Sequence, residues 1–227
     1  MDNIYTRSSQ LIGEDAIIKL RNSTVLVVGI GGVGGTCFEA LVRSGVKQII
    51  IIDKDVVDVT NLNRQILFTS EDIGKTKVDI AKNRANKINS DCEIIPLDLF
   101  IDESNLNILD TYKIDFIVDA IDSIYSKASL VKYAQGRNIP IILSLGMGKR
   151  LDPSMLCITT LNKSTGDPLA KKLRYILKQD NVDISTLKCV ISKEEVLNNE
   201  RVPASMMMVP SAAGLILASY VIEQLIK

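Results

Sequence analysis

Two segments carry glycines and charged side chains at spacings that suit a phosphorylated ligand. In VLVVGIGGVGGTCFEAL, Gly29, Gly31 and Gly34 form a G-x-G-x-x-G pattern between a predicted strand and a predicted helix, with Gly32 in the same loop. Such glycines permit a tight turn and bring the backbone close to a phosphate at a helix N-terminus. Asp53 ends the next predicted strand, where an acidic residue typically binds ribose hydroxyls. The pattern predicts a nucleotide site; the alternative is a tight glycine turn without a ligand.

Cations beyond the second predicted strand bear on which nucleotide is bound. The glycine pattern alone favours NAD. Asn61, Asn63, Arg64 and Gln65, however, lie just past that strand, at the sheet edge where ligands bind. With Lys77, Arg64 would offer a triphosphate two positive charges, each worth up to about 4 kcal/mol at an effective dielectric of ~20 before desolvation. A hydride-transfer site has little use for them, although either cation alone would more often be a solvated surface residue.

The segment DAIDS ends the fourth predicted strand and brings two carboxylates to the same edge. Carboxylate oxygens are ligands that Mg²⁺ accepts in proteins. Asp122 is therefore predicted as a magnesium ligand, whereas Asp119 is predicted as a cap at the end of the strand.

Two further fragments resemble site motifs less well. GKT at 74–76 ends like a phosphate-binding P-loop, but Thr69 stands where that motif requires glycine, so we expect a helix start instead. GMGK, Gly146 to Lys149, follows the fifth predicted strand, where a simple turn and a part of the site are equally compatible with the sequence.

Composition excludes several classes of chemistry. The 227 residues include no histidine, which rules out serine-histidine and cysteine-histidine nucleophiles and histidine-ligated zinc. The four cysteines form no C-x-x-C pair, so a zinc ribbon is not expected. Cys157 and Cys189 lie in predicted strands, where burial is a commoner role than a thioester. The remaining chemistry depends on Asp, Glu, Lys, Arg, Cys or Tyr.

Charge and hydropathy limit what the protein can bind and where in the cell it is expected. With 27 basic and 27 acidic residues the chain has no net charge, so any contact with RNA must be local. The N-terminus shows no apolar signal core, and the apolar run VPSAAGLILASYVI is shorter than a bilayer span. We therefore expect a cytoplasmic protein without a membrane segment, forming one domain over residues 1–227.

Apolar runs of strand length alternate with helical patterns, which is typical of a doubly wound α/β, Rossmann-like sheet that is mostly parallel. The predicted strands are Val25–Val28, Gln48–Ile52, Glu93–Leu97, Phe116–Asp119 and Pro140–Leu145. The predicted helices between them are Val33–Ser44, ended by Gly45, about Lys75–Ile88 and about Ser126–Gly136.

The last third of the chain reads differently. MLCITTL and LKCVISKE are predicted as antiparallel strands added to one edge, separated by the helix DPLAKKLRYILKQ. PSAAGLILASYVIEQLIK is predicted as a C-terminal core helix with Pro210 at its first position.

In this order and spacing, GIGGVG, DKDVVDVTNLNRQ, GKTK and DAIDS resemble the ATP-dependent adenylating enzymes related to ubiquitin-activating enzymes and to activators of sulfur-carrier proteins. The resemblance runs from about Tyr5 onward. It implies that a substrate carboxylate attacks the α-phosphorus of ATP, which needs alignment and charge neutralisation rather than a histidine base.

The resemblance also implies roles for individual residues. Asp53 would bind the ribose, Asp122 the magnesium ion, and Arg64 and Lys77 the phosphates, while Arg7 would reach the site across a homodimer interface. The expected nucleotide-binding set is Gly29, Gly31, Gly32, Gly34, Asp53, Asp55, Asn61, Asn63, Arg64, Gln65 and Lys77. A monovalent cation and a sulfur-relay protein partner are further candidates.

Within the family, sulfur-carrier activators usually have two C-x-x-C pairs for zinc, which this sequence does not contain. From DAIDS onward the sequence instead resembles the tRNA threonylcarbamoyladenosine dehydratases. These adenylate the threonine carboxylate of a modified adenosine in tRNA, and the carbamoyl group then closes a ring. One departure is Gly35, where relatives often have a serine that would donate to a phosphate.

A local RNA contact is also predicted from the sequence. In DPLAKKLRYILK, a buried stripe of Leu169, Leu173 and Ile176 would leave a basic face to tRNA phosphates, or an ordinary solvated surface. That face consists of Lys171, Arg174 and Lys178.

Two other functions use the same residues. One is adenylation of the C-terminus of a sulfur-carrier or ubiquitin-like protein. The other is a non-catalytic nucleotide-binding module, or an NAD-binding one. Arg64→Ala separates them, because it should abolish turnover in an adenylating enzyme and leave NAD binding largely intact.

Overall fold

The computed structural model describes residues 3–196 and 204–227. These residues contain seven strands: β1 Thr24–Val28, β2 Gln48–Ile52, β3 Glu93–Leu97, β4 Phe116–Asp119, β5 Ile141–Ser144, β6 Leu156–Thr160 and β7 Lys188–Ser192. They form one sheet in the order β3-β2-β1-β4-β5-β7-β6.

Seven α-helices accompany the sheet in the described part of the chain: α1 Thr6–Ile12, α2 Glu14–Leu20, α3 Gly32–Ser44, α4 Lys77–Ile88, α5 Ile124–Gly136, α6 Pro168–Gln179 and α7 Met208–Leu225. Short 3₁₀ turns link several of them, including Val59–Asn61 after β2.

The central strands read as continuous apolar runs because helices cover both of their faces. Leu26 and Ile50 pack on one face, and Val27 and Ile51 pack on the other, all with no exposed surface. Each such side chain contributes about 1.5–3 kcal/mol of transfer free energy. The two core layers lock the register of β1 against β2 and β4.

From β1 the sheet grows in opposite directions. Strands β2 and β3 lie on one side of β1 and β4 lies on the other, so the strand order reverses between β1 and β4. In doubly wound sheets, ligands bind outside the carboxyl ends of the strands at this switch point. The predicted doubly wound fold is confirmed, and its switch point lies at the glycine loop after β1.

The edge strands agree only in part with the sequence interpretation. β6 is antiparallel to β7, as expected, but β7 is parallel to β5. The helix α6 is long enough to return the chain to the starting edge of the sheet, so β7 enters in the same direction as β5. Only β6 is therefore antiparallel among the described strands.

Several helix boundaries differ from the predicted ones by one or two residues, as helix ends commonly do. Gly45 has φ +92° and ends α3 as predicted. Helices α1 and α2 were not predicted, because their seven residues each are too short to show a clear period.

The C-terminal helix begins at Met208, so Pro210 is its third residue rather than its first. Pro210 still lies within the first turn, where no backbone N–H bond is lost. Gly214 lets α7 approach α3 closely, since a Cβ there would lie 2.4 Å from the carbonyl oxygen of Val33. By length and composition alone α7 is apolar enough to cross a membrane, but one side of it is buried against α3 in the core.

Candidate active site

The glycine loop between β1 and α3 uses its glycines for different purposes. Gly29 has φ +89°, and a Cβ there would lie 2.7 Å from the carbonyl oxygen of Ala120. A Cβ on Gly34 would lie 1.8 Å from the carbonyl oxygen of Gly29, so Gly34 allows α3 to pack on its own loop. No side chain caps the start of α3 at Gly31, which leaves helix N–H groups free for an anion.

A cavity of about 330 Å³ opens beside this loop at the carboxyl edge of the sheet. It brings together most of the predicted site residues: Gly29, Gly31, Gly32, Asp53, Asp55, Asn61, Arg64, Gln65, Lys77 and Asp122. Gly34, Asn63 and Arg7 do not line it. We call this space the nucleotide cavity.

Asp53 is fixed against the glycine loop. Its Oδ2 accepts from the backbone N–H of Ile30 at 2.7 Å, and its Oδ1 accepts from the N–H of Asp55 at 2.9 Å. Burial raises the pKa of the Asp53 carboxyl, although Lys77 and the two N–H donors oppose that change. The side chain is thus held at the tip of β2, where ribose hydroxyls meet such carboxylates in doubly wound folds.

Lys77, the first residue of α4, is 4% exposed, and its ammonium group faces carboxylates. Its Nζ lies 2.9 Å from Oδ2 of Asp55 and 4.0 Å from Oδ1 of Asp53. Its backbone N–H also donates to the carbonyl oxygen of Asp55 at 3.1 Å. The lysine is therefore positioned by the segment directly after β2.

Arg64 is oriented by the turn that precedes it. Its Nη1 donates to the carbonyl oxygen of Thr60 at 2.8 Å and to Oδ1 of Asn63 at 2.9 Å. Two side chains close this turn. Oδ1 of Asp58 accepts from the backbone N–H of Thr60, and Oδ1 of Asn61 accepts from the backbone N–H of Asp58. Asn63 therefore helps to orient Arg64. Its own side chain is held by Nδ2, which donates to the carbonyl oxygen of Ser205 at 2.8 Å.

The nucleotide cavity has balanced charges. Three cationic side chains line it, and so do three carboxylates. The six groups are Lys54, Arg64, Lys77, Asp53, Asp55 and Asp122. A triphosphate placed here would meet no excess positive charge from these side chains alone, so further cations are needed to neutralise it.

Asp122 is exposed and lines the nucleotide cavity. Among residues 3–196 and 204–227, no group of three or more His, Cys, Asp or Glu side chains is placed to hold a metal ion. A protein site of one carboxylate suits Mg²⁺, which usually completes its shell with phosphate oxygens and water. Asp122 therefore fits a nucleotide-bound magnesium ion rather than a metal held by the protein alone.

A second, larger cavity of about 1120 Å³ adjoins the first. Both are lined by Gly32, Arg64, Ile121 and Asp122. The second is also lined by the GMGK fragment, which is thus part of the site wall rather than an isolated turn. We call it the acceptor cavity, because a group bound there would lie beside a nucleotide in the first cavity.

The wall of the acceptor cavity is braced by a buried network. Asp167 caps α6 through Oδ1, while its Oδ2 accepts from the N–H of Gly146 at 2.8 Å. Nη1 of Arg150, almost fully buried, lies 3.9 Å from Asp167 Oδ2. Lys149 has φ +61°, and its N–H donates to the carbonyl oxygen of Ala204 at 2.8 Å. These contacts fix the loop after β5 against α6 and residues 204–205.

Sequence reasoning missed the apolar wall of the nucleotide cavity. Leu99, Phe100 and Ile101 line it, and the ammonium group of Lys54 lies 4.5 Å from the centre of the Phe100 ring. Their only signal was position, since they follow β3 at the same sheet edge. An aromatic and aliphatic wall of this kind suits a nucleobase.

Asp119 is a structural residue, in agreement with its predicted role as a strand-end group. Its Oδ1 lies 2.8 Å from Nζ of Lys127, and both side chains are fully buried. Oδ1 also accepts from the N–H of Ile121, whereas Oδ2 has no partner among the described residues. Lys127 lies inside α5 and was not singled out in the sequence.

The cysteines lie outside both cavities. Cys189 is fully buried, and burial raises the pKa of its thiol to about 12. Cys157 is partly buried in β6 and has a free thiol. Gly35 also faces away from the nucleotide cavity, because a Cβ there would lie 3.2 Å from the side chain of Leu67.

Arg7 lies on α1 and is exposed. It lines neither cavity of its own chain. A role in catalysis would therefore require a second protomer.

The doubly wound sheet, the uncapped helix at the glycine loop and the cavity that brings Asp53, Arg64 and Lys77 together are those of a nucleotide-binding α/β protein, and a second cavity adjoins the first. The chain belongs to the ThiF family, whose model matches residues 5–225.

Curated relatives and solved structures agree with this assignment. The chain is 36% identical to the Bacillus subtilis tRNA threonylcarbamoyladenosine dehydratase, over 98% of this chain and 94% of that protein. It is also 36% identical to the Escherichia coli tRNA threonylcarbamoyladenosine dehydratase, over 84% of this chain and 73% of that one. The crystal structure of the E. coli enzyme in complex with ATP superimposes with a TM-score of 0.92 and 32% identity, covering 97% of this chain and 93% of that one.

Proposed function

We propose that this protein is an ATP-dependent tRNA threonylcarbamoyladenosine dehydratase. It adenylates the threonine carboxylate of the modified adenosine and then closes the ring with loss of AMP, acting on tRNA in the cytoplasm. The observation that carries the proposal is the adjoining pair of cavities, since Arg64 and Asp122 line both of them. Similarity to dehydratases over nearly the whole chain supports the choice of substrate.

The reaction proceeds in two displacements. A carboxylate oxygen in the acceptor cavity attacks the α-phosphorus of ATP, and pyrophosphate leaves. The carbamoyl group of the same nucleoside then attacks the activated carbonyl carbon and expels AMP, which keeps the carboxylate oxygen, and the carbamoyl N–H proton passes to the departing phosphate or to water. Both steps need alignment and charge neutralisation more than a proton acceptor. The chain's lack of histidine is compatible with this chemistry.

Each positioned side chain has a part in this scheme. Asp53 and Asp55 bind the ribose side of the nucleotide, and the N–H groups of Gly31 and Gly32 face its phosphates. Arg64 and Lys77 offset charge on the phosphates as pyrophosphate departs. The apolar wall of Leu99, Phe100 and Ile101 receives the adenine. Asp122 would hold a magnesium ion in this scheme, and the ion would supply charge neutralisation for the phosphates.

Charge balance supports two additions to the site. The nucleotide cavity offers no excess of positive charge, so a triphosphate needs Mg²⁺ and a further cation. Arg7 of a second protomer would be that cation, which makes the protein a homodimer. Large apolar side chains exposed on α1 and after β2, such as Leu11 at 84% and Val59 at 61%, are consistent with such an interface.

The proposal includes three further features. The chain acts as a single adenylating domain over residues 1–227. A monovalent cation assists the site, which would make turnover depend on potassium. A sulfur-relay protein binds to the enzyme and would be recovered with it in an affinity purification.

The substrate is tested by incubating the protein with ATP and tRNA that carries threonylcarbamoyladenosine. The digested nucleosides are then analysed by mass spectrometry, and we expect a product lighter by one water, with release of AMP and pyrophosphate. If no such product forms while a Gly-Gly-ended carrier protein is adenylated, the enzyme is a carrier activator instead.

A further inference from the structure

Helix α6 presents a basic face with an aromatic residue at its centre. Lys171, Lys172 and Lys178 are exposed, and Tyr175 between them is 68% exposed. At 100° per residue, Tyr175 lies about 40° from Lys171 and about 60° from both Lys172 and Lys178. We call these four residues the α6 basic face.

The face differs from the one that the sequence predicted. The buried stripe is Ala170, Leu173 and Leu177 rather than Leu169, Leu173 and Ile176. Arg174 turns inward, where its Nη1 donates to the carbonyl oxygen of Ser164 at 2.7 Å and contacts Oγ of the same residue. Arg174 therefore braces α6 and is not available to a ligand.

No carboxylate offsets the charge of this face. Helix α6 contains no acidic residue, and among the described residues none lies within 4 Å of the three lysine ammonium groups. The flanking acids are engaged elsewhere, since Asp167 is a buried cap and Asp180 lies 3.0 Å from Lys132. In a chain without net charge, the α6 basic face is thus a local concentration of positive potential.

The α6 basic face lies on a helix whose first residues border the acceptor cavity. Pro168 and Leu169, the first residues of α6, line that cavity. Lys171 follows within one turn, and Lys178 lies about 15 Å farther along the helix axis than Pro168. A polymer whose modified nucleoside occupies the cavity would therefore lie next to the start of this helix.

We propose that the α6 basic face is the docking surface for RNA, with its lysines on backbone phosphates and Tyr175 stacked on an unpaired base beside the bound nucleoside. The inference rests on the proposed function, which supplies the nucleoside in the acceptor cavity. Lysines that follow a phosphate backbone, together with an exposed aromatic ring, are the chemistry by which proteins bind single-stranded RNA segments. The alternative occupant is an acidic protein. In that case removal of the lysines would leave the affinity for tRNA and its salt dependence unchanged, so the measurement below separates the two occupants.

The test is binding of fluorescently labelled tRNA to the full-length protein, measured by anisotropy between 50 and 200 mM KCl. For Lys171→Ala/Lys178→Ala we expect affinity at low salt to fall about tenfold or more. The slope of log affinity against log salt should also decrease by about 1.5, as two phosphate contacts are lost. The matched control is Lys87→Ala/Lys113→Ala, which removes two exposed lysines that line neither cavity and should bind as the wild type does.

Tyr175 is tested by a pair of variants. Tyr175→Ala should lower affinity about tenfold without changing the salt slope, because stacking involves no counterion release. Tyr175→Phe keeps the ring and should bind like the wild type. A thermal shift on addition of ATP, equal in all variants, establishes that each is folded with an intact nucleotide site.

The inference is overturned if Lys171→Ala/Lys178→Ala binds tRNA with wild-type affinity and slope, as it would if the face contacts an acidic protein. Product formation is measured in parallel. A wild-type protein that binds tRNA through this face yet forms no lighter nucleoside contradicts the proposed function and leaves the docking surface standing.

Discussion

Arg64 and Lys77 reach the nucleotide cavity by different routes. Lys77 is buried against Asp55, whereas Arg64 is oriented by the turn at Thr60. Both positions follow from the rule that parallel strands end at one edge, so the sequence predicted that Asp53, Arg64 and Lys77 would meet. It did not predict that carboxylates would balance the cations, because ion pairing depends on side-chain distances that spacing does not give.

The residue-scale prediction concerns Arg64. Arg64→Ala removes a cation from the phosphate end of the site, and turnover with ATP and modified tRNA should fall about 10²–10³-fold. The control is Arg21→Ala, on an exposed residue next to Asp91 and away from both cavities, which should keep turnover within about threefold. Steady-state release of pyrophosphate measures both, and equal rates in the two variants would rule out a phosphate role for Arg64.

At the scale of elements, the strands were predictable because burial on both faces demands continuous apolar runs. The direction of β7 was not, since an edge strand carries the same local pattern in either direction. Arg174 was misassigned for a related reason: its acceptor on Ser164 is ten residues away, and helical periodicity does not report such contacts.

Close packing of two helices gives the first prediction at this scale. Gly214→Ala should lower the free energy of unfolding by about 1–3 kcal/mol, because its Cβ would lie 2.4 Å from the backbone of Val33 on α3. Gly136→Ala is the control, since a Cβ there meets nothing within 4 Å. Urea denaturation followed by circular dichroism compares them. Equal stability of the two variants would mean that α7 packs less tightly than described.

The buried ion pair between Asp119 at the end of β4 and Lys127 on α5 leads to a second prediction about stability. Lys127→Met leaves Asp119 uncompensated, so the free energy of unfolding at pH 8 should fall by about 3–5 kcal/mol. Burial raises the pKa of Asp119, so a protonated, neutral Asp119 is favoured in the folded variant and its deficit should shrink as the pH falls toward 5.

The control for this pair is Lys132→Met, on the same helix, which breaks a partly exposed pair with Asp180. It should cost less than about 1 kcal/mol and show no such pH trend. Chemical denaturation at several pH values measures both variants. A deficit in Lys127→Met that grows on acidification would contradict the assignment.

The whole molecule is where the sequence alone said least. Helices α1 and α2 show no clear periodicity, and only resemblance drew attention to Arg7. Because Arg7 lies outside both cavities of its own chain, its proposed role would require a second protomer.

Subunit mixing tests this arrangement. Arg7→Ala and Arg64→Ala should each be nearly inactive, but exchange of their subunits creates heterodimers in which one site holds both arginines. Up to about a quarter of wild-type turnover should return for equal amounts of the two, since half the dimers are mixed and each has one intact site. No recovery, despite subunit exchange seen by native mass spectrometry, would show that Arg7 acts within its own chain or not at all.

The proposed reaction depends above all on one step, the attack of the substrate carboxylate on the α-phosphorus of ATP in the adjoining cavities. Modified tRNA carrying ¹⁸O in both oxygens of the threonine carboxylate tests it in one turnover, with AMP analysed by mass spectrometry. We expect AMP that contains one ¹⁸O, formed together with a nucleoside lighter by one labelled water. Unlabelled AMP, or ADP and phosphate in place of AMP and pyrophosphate, would contradict it.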